Sequence, residues 1–158
     1  METRVALLRS LDMSVWVPMR GEVVLDVFDL NRKKVDEILL GDNLLVAGFY
    51  TNLSHLVAGD SVGRYVDRMQ FGTGSAAAQG TDSTLQVPIT PIKTTLVDHP
   101  TATTTRFRSY LMETEGNGFP ISEAGLLAVD DTLVARKIFA GQVKTSDYIF
   151  GFRWTISP

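Results

Sequence analysis

The stretch Asp147-Tyr148-Ile149-Phe150-Gly151-Phe152-Arg153-Trp154-Thr155-Ile156 decides the reading of the chain. Tyr148, Phe150, Phe152, Trp154 and Ile156 alternate with smaller or polar residues, and a period of two places all five on one face of a strand. No other segment carries as many aromatics. An enclosed aromatic side chain buries roughly 150–250 Å², so this face is expected to anchor the core, with Phe150, Phe152 and Trp154 as structural residues.

Upstream, Arg106 to Glu113 alternates in the same way. Gly116-Asn117-Gly118 follows, and Asn-Gly marks a hairpin because both residues accept a positive φ. Phe119 to Val129 reads as the next strand, Asp130-Asp131 as a two-residue turn and Thr132 to Phe139 as the return strand. Four successive antiparallel strands are therefore expected to close the chain as a meander or part of a sandwich.

Earlier in the chain, Glu22 to Leu30 and Arg64 to Phe71 alternate as strands, and Thr94 to Val97 as a short one. Arg32-Lys33-Lys34-Val35-Asp36-Glu37 is mixed in charge and reads as a solvated loop or turn. Asn43 to Ala58 is the single expected helix, with Asp42 or Asn43 as N-cap and Gly59 as the left-handed C-terminal residue. Leu45, Phe49, Leu53 and Leu56 recur at helical spacing and are expected to form its buried stripe, with Phe49 at the centre. Gly72 to Thr84 is rich in Gly, Ser, Ala and Thr and reads as a mobile loop. Residues 1–20 read as an N-terminal arm, with a short strand over Arg4 to Leu11 and with Trp16 before Pro18. The fold class expected is a mainly β chain with one α-helix, an antiparallel β-sandwich or meander with the helix packed on it.

The chain has 158 residues, which suits one domain spanning 1–158. Its net charge of −3 gives no general attraction to nucleic acid, so no direct nucleic-acid contact is expected. It has no cysteine, which removes disulfides and thiolate metal sites. No apolar run approaches the roughly 20 residues that span a bilayer, and Met1-Glu2-Thr3-Arg4 has no signal-peptide pattern; synthesis in a host cytoplasm is the expectation.

Candidate chemistry is sparse. Gly72-Thr73-Gly74 lacks the Lys-Ser/Thr pair of a phosphate-binding loop. His55 and His99 have no ligand partner at a recurring spacing, and the scattered aspartates match no calcium loop. Ser54, His55 and Asp60 form no triad, since neighbours on a helix point apart. Tyr65, Tyr110, Tyr148 and Trp154 lie in alternating strands and read as core. No catalytic residue, metal or cofactor is expected.

Some of these residues carry a resemblance. In order they are Phe71-Gly72-Thr73-Gly74, Glu115-Gly116-Asn117-Gly118, Ile121-Ser122-Glu123-Ala124-Gly125-Leu126-Leu127, Leu133-Val134-Ala135-Arg136, Lys144, Asp147 and Phe152-Arg153-Trp154-Thr155-Ile156. From about Asn43 to the end the chain resembles a family of tailed-bacteriophage virion proteins, small structural proteins of the neck, collar and tail that include fibre-attachment modules. That resemblance implies a non-enzymatic virion component. It would assemble with itself as a ring and with other neck or tail proteins, a ring at the neck or collar being favoured over a tail-fibre attachment or adaptor. Gly72, Thr73, Gly74 and Trp16 are the interface candidates. A carbohydrate-binding β-sandwich is the competing class, favoured by an exposed aromatic row.

Glu123 stands in an apolar strand, on the face of Phe119, Ile121, Gly125 and Leu127. An unpaired buried carboxylate is costly. If Asp130-Asp131 is a two-residue turn, Gly125 faces Arg136, and Glu123 and Arg136 are diagonal neighbours on one face. A structural salt bridge is expected there, with Lys144 as the alternative partner.

Overall fold

The computed structural model describes residues 19–59 and 63–158. Trp16, the 4–11 strand and most of the expected arm lie outside the described residues. Ten strands and one helix follow in order: β1 (Arg20–Asp29), β2 (Lys34–Asp42), β3 (Leu44–Leu45), α1 (Ala47–Ala58), β4 (Val66–Gly72), β5 (Lys93–Thr94), β6 (Leu96–Thr101), β7 (Thr104–Leu111), β8 (Pro120–Ala128), β9 (Leu133–Val143) and β10 (Tyr148–Ser157). They form two five-stranded antiparallel sheets, ordered β2-β1-β10-β7-β6 and β3-β9-β8-β4-β5. The described residues form a β-sandwich with one helix.

The alternation of β10 sets the core as its sequence requires. Phe152 and Trp154 are fully buried, Phe150 and Ile156 nearly so, and only Tyr148 at the strand start is exposed. Val23 and Leu25 of β1 and Phe107 and Leu111 of β7 flank them in the first sheet; Met69, Phe71, Ala124 and Leu126 meet them from the second. Phe71 and Phe152 stack across the interface at 4.3 Å between ring centroids.

The four closing strands are not a meander. β8 and β9 pair with each other in the second sheet, while β7 and β10 pair in the first. Gly116-Asn117-Gly118 therefore carries the chain from one sheet to the other. Gly116 and Gly118 both have positive φ, so the local signal was for a turn, and tertiary packing decided what the turn connects. The expected short strand near Thr94 is likewise split: β5 belongs to the second sheet and β6 to the first.

Charged residues 32–37 are only partly a loop. The side chain of Asp29 accepts hydrogen bonds from the backbone N–H groups of Asn31 and Lys33, each at 2.9 Å, and Arg32 adopts a positive φ of 63°. This tight turn starts β2 at Lys34. Neither face of this edge strand is fully enclosed, and charges along an edge oppose pairing with another chain.

The helix begins at Ala47, four residues later than expected. Its N-cap is Val46, with no side-chain cap, and neither Asp42 nor Asn43 serves. Leu45 belongs to β3. Gly59 does close the helix in the left-handed region, its N–H reaching the His55 and Leu56 carbonyls. Gly48 lets the helix backbone lie against β9: a Cβ there would stand 2.2 Å from the Leu133 carbonyl oxygen. The expected stripe is not buried as a unit. Phe49 packs partly on the core, but Leu53 is 41 % exposed, Leu56 44 % and Val57 79 %. The buried helical residue is Asn52, which donates to the Arg64 carbonyl and accepts from the Arg64 guanidinium.

Trp154 fills the centre of the sandwich with no solvent contact. Trp154→Ala is expected to lower stability by about 3–5 kcal/mol, measured by urea unfolding followed by circular dichroism.

Candidate functional site

The second sheet carries its principal polar cluster on the face turned away from the inter-sheet core. A register shift between Ile121 and Glu123 divides β8: Ile121 points into the core, whereas Glu123 points to the outer face. The shared face expected for Ile121 and Glu123 is thus broken by an irregularity that alternation alone does not reveal. Gly125 and Leu127 lie on the outer face with Glu123. Leu127 joins Val46, Leu85 and Leu133 in a small separate apolar cluster there.

Glu123 is fully buried because residues 73–92 cross over it. Its Oε1 accepts from the Gly74 N–H at 3.2 Å and the Val87 N–H at 3.0 Å; its Oε2 accepts from the Gln86 N–H at 2.7 Å. Arg136 Nε and Nη2 reach the same Oε2 at 2.9 and 2.7 Å. Arg136 then extends to Asp82 Oδ2 at 2.7 Å and to the Ala76 carbonyl. The segment expected to be mobile, Gly72 to Thr84, is therefore tied down. Gln86 Oε1 accepts two further bonds, from the N–H groups of Ser75 and Ala76, and Ser122 donates to the Gly74 carbonyl.

The Gly-Thr-Gly sequence has its explanation in this crossing. A Cβ on Gly72 would stand 2.4 Å from the Val87 carbonyl oxygen and 2.5 Å from Glu123 Oε1; one on Gly74 would stand 2.6 Å from the same carboxylate oxygen. Only backbone without a side chain can approach the carboxylate so closely. Of the interface candidates, Gly72 and Gly74 are accordingly buried inside this unit, and Thr73 between them is half-buried.

The Glu123–Arg136 pair forms as the sequence suggests, but by a different route. The hairpin loop has three residues, 129–131: Ala128 and Thr132 bond across it, and Asp131 takes a positive φ of 66°. That extra residue would send Arg136 to the opposite face. A register shift between Leu126 and Leu127 leaves Val134 as an unpaired bulge residue and restores Gly125 opposite Arg136. The bulge also lets adjacent Val134 and Ala135 both join the core. The space expected beside Gly125 for the arginine stem is taken by Leu85 and Leu133. Lys144, the alternative partner, bonds elsewhere, to Asn117.

Burial pushes the Glu123 carboxyl up, but the N–H groups of Gln86 and Val87 and the Arg136 guanidinium outweigh it, so the group is held below the usual glutamate range. Burial likewise works against the Arg136 cation, and Asp82 and Glu123 overcome it. The cluster is a fully ionised lock.

The outer face of the first sheet holds the other polar system. Asp26 accepts from Arg153 at 2.5 and 3.1 Å and from Lys34 at 3.3 Å; Arg153 and Lys34 both also reach Glu37. Arg106 holds Asp98 by two bonds, at 3.0 and 2.5 Å. Beside these pairs lies an open groove of about 360 Å³, lined by Phe28, Arg32, Leu96, Tyr110, Met112 and Ile149. Tyr110 is thus a groove residue, and Tyr65 and Tyr148 are exposed; of the four residues read as core, only Trp154 is. Among the described residues, no group of three or more His, Asp or Glu side chains converges on a position that could hold a metal ion, and no helix is long and apolar enough to cross a membrane.

Single changes at Glu123 or Arg136 each leave a buried charge behind, so Glu123→Ala and Arg136→Ala should each cost about 3–5 kcal/mol. The double variant should lose clearly less than the sum of the two, read by thermal unfolding; additive losses would refute the coupling. A carboxyl depressed in the folded chain contributes stability that is complete above its unfolded value, about 4.3. That contribution is withdrawn as pH falls through the lower folded value. Glu123→Gln should therefore flatten the acid limb of a stability–pH curve while leaving its neutral-to-alkaline shape unchanged.

No protein-family model, curated protein or solved structure matches the chain.

Proposed function

We propose that the chain is a non-enzymatic structural protein of a tailed-bacteriophage virion, acting as a ring-forming component of the neck or collar. The observation that carries this reading is the outward apolar face of α1. Tyr50, Leu53, Leu56 and Val57 are all exposed on a helix of twelve residues, with Tyr65 exposed just beyond it. Contiguous exposed apolar surface marks a site of association, and head-to-tail contacts that close generate rings. The motif resemblance described above supplies the context, and the buried ionised lock supplies rigidity without any reacting group. Attachment of a tail fibre is the alternative within the same class. A carbohydrate-binding module is favoured by one observation, the groove in which Phe28 and Tyr110 lie 6.2 Å apart, although the aromatic row of β10 is buried.

Immunogold labelling of virions that carry the chain should mark the neck or collar. Label at the fibre bases would favour the alternative, and unlabelled particles would overturn the virion reading. Glycan-array binding abolished by Tyr110→Ala would favour the carbohydrate module. Val57→Asp, at the most exposed position of the apolar face, should leave the thermal midpoint within a few degrees of the parent, as surface changes usually do, while reducing incorporation into particles at least several-fold.

A further inference from the structure

Lys144 is fully buried at the start of the β9–β10 connection. Its Nζ donates to Asn117 Oδ1 at 2.7 Å and to the Thr145 carbonyl at 3.3 Å, and both partners are neutral oxygens. Burial pulls the amine below the usual lysine range; Glu115 and Glu113 oppose that shift, and Lys93 adds to it. A desolvated lysine beside a second cation is a nucleophile.

Asn117 is fixed at both ends of its amide. While Oδ1 faces Lys144, Nδ2 donates to the Glu113 carbonyl at 2.7 Å on the exposed side. The amide carbon is therefore one bond from the oxygen that faces the lysine nitrogen, and the amide nitrogen faces the Glu113 carbonyl. In an Asn-Gly pair the following backbone nitrogen ordinarily competes for that carbon. Here the Gly118 N–H donates to the Lys144 carbonyl at 2.9 Å, which occupies the competitor and binds the two segments together.

We infer that Lys144 and Asn117 form an intramolecular isopeptide bond. Lys144 Nζ, as the neutral amine, attacks Asn117 Cγ. The new C–N bond forms, the Cγ–Nδ2 bond breaks, and its electron pair leaves with Nδ2. One proton passes from Nζ to Nδ2, so ammonia departs and no oxidant, reductant or cofactor is consumed. Glu115, held by Lys93 and the Met112 N–H, and Glu113 are the carboxylates whose charges act on the Lys144 amine. The cross-link joins the β7–β8 and β9–β10 connections, both of which pass between the two sheets.

The test is the intact mass of the purified, folded chain. The bond predicts a mass one ammonia below that of the sequence, about 17 Da. Trypsin should then release one branched peptide joining Ser109–Arg136 to Ile138–Arg153, uncut at Lys144. Lys144→Arg and Asn117→Ala should each restore the full sequence mass. A folded parent chain with the full mass overturns the proposal, whatever the variants do. So does a mass loss that persists in Lys144→Arg and reverts under mild alkali, because that is a cyclic imide at Asn117-Gly118. None of these readouts depends on where the protein acts.

Discussion

A carboxylate without water must be given its hydrogen bonds by the protein, and the second sheet is arranged around that demand at Glu123. Five N–H groups converge on its two oxygens, three from the crossing segment and two from Arg136. The charge is tolerable only with the segment closed, and its polar bonds add to the few apolar contacts that hold it, such as that of Ile89 on the main core. Leu85 is its buried apolar anchor on this face. The polar lock therefore supplements a second hydrophobic layer. A pair of this kind adds little net stability over apolar side chains of similar volume. Its gain is a single geometry for a long connection that composition alone would leave undetermined.

The readable parts of the sequence are those where burial is one-sided. β10 declares itself because Phe150, Phe152, Trp154 and Ile156 face the core while Arg153 and Thr155 do not. β2 does not, because an edge strand with neither face enclosed has no reason to alternate, and Asp36 and Glu37 imitate a loop. The helical spacing of Leu53, Leu56 and Val57 is real, yet periodicity says only that they share a side and cannot say that the side faces out. Gly72 and Gly74 were legible as flexible residues. Their purpose is a close approach to a carboxylate 51 and 49 positions away in the chain, respectively, which no local rule contains.

The Glu123–Arg136 pair is instructive in another way. Its diagonal placement follows from counting back from the turn, and the turn was one residue longer than counted. The bulge at Val134 removes the discrepancy. Loop length and bulge are thus one coupled feature: altering either alone would turn every side chain of β9 beyond it to the opposite face. Buried polar residues were identifiable as needing partners, but the partners that complete them are mostly backbone groups, which leave no trace in residue type.

The two sheets are also joined in a manner that bears on how the sandwich carries load. On one side the chain passes from β2, the edge of the first sheet, to β3, the edge of the second, through Asn43 alone; on the other it passes from β5 to β6 through Thr95 alone. The backbone N–H of each linking residue is anchored, Asn43 to the Gly21 carbonyl and Thr95 to the Asp67 carbonyl. Both open margins are therefore sewn by covalent bonds one residue long. A force that would slide or prise the sheets apart is met first by the stiffness of the main chain at these two stitches, and only afterwards by the dispersion contacts between Phe71 and Phe152. In mechanical terms the molecule is a flattened tube with closed seams, rather than two plates held by the filling between them.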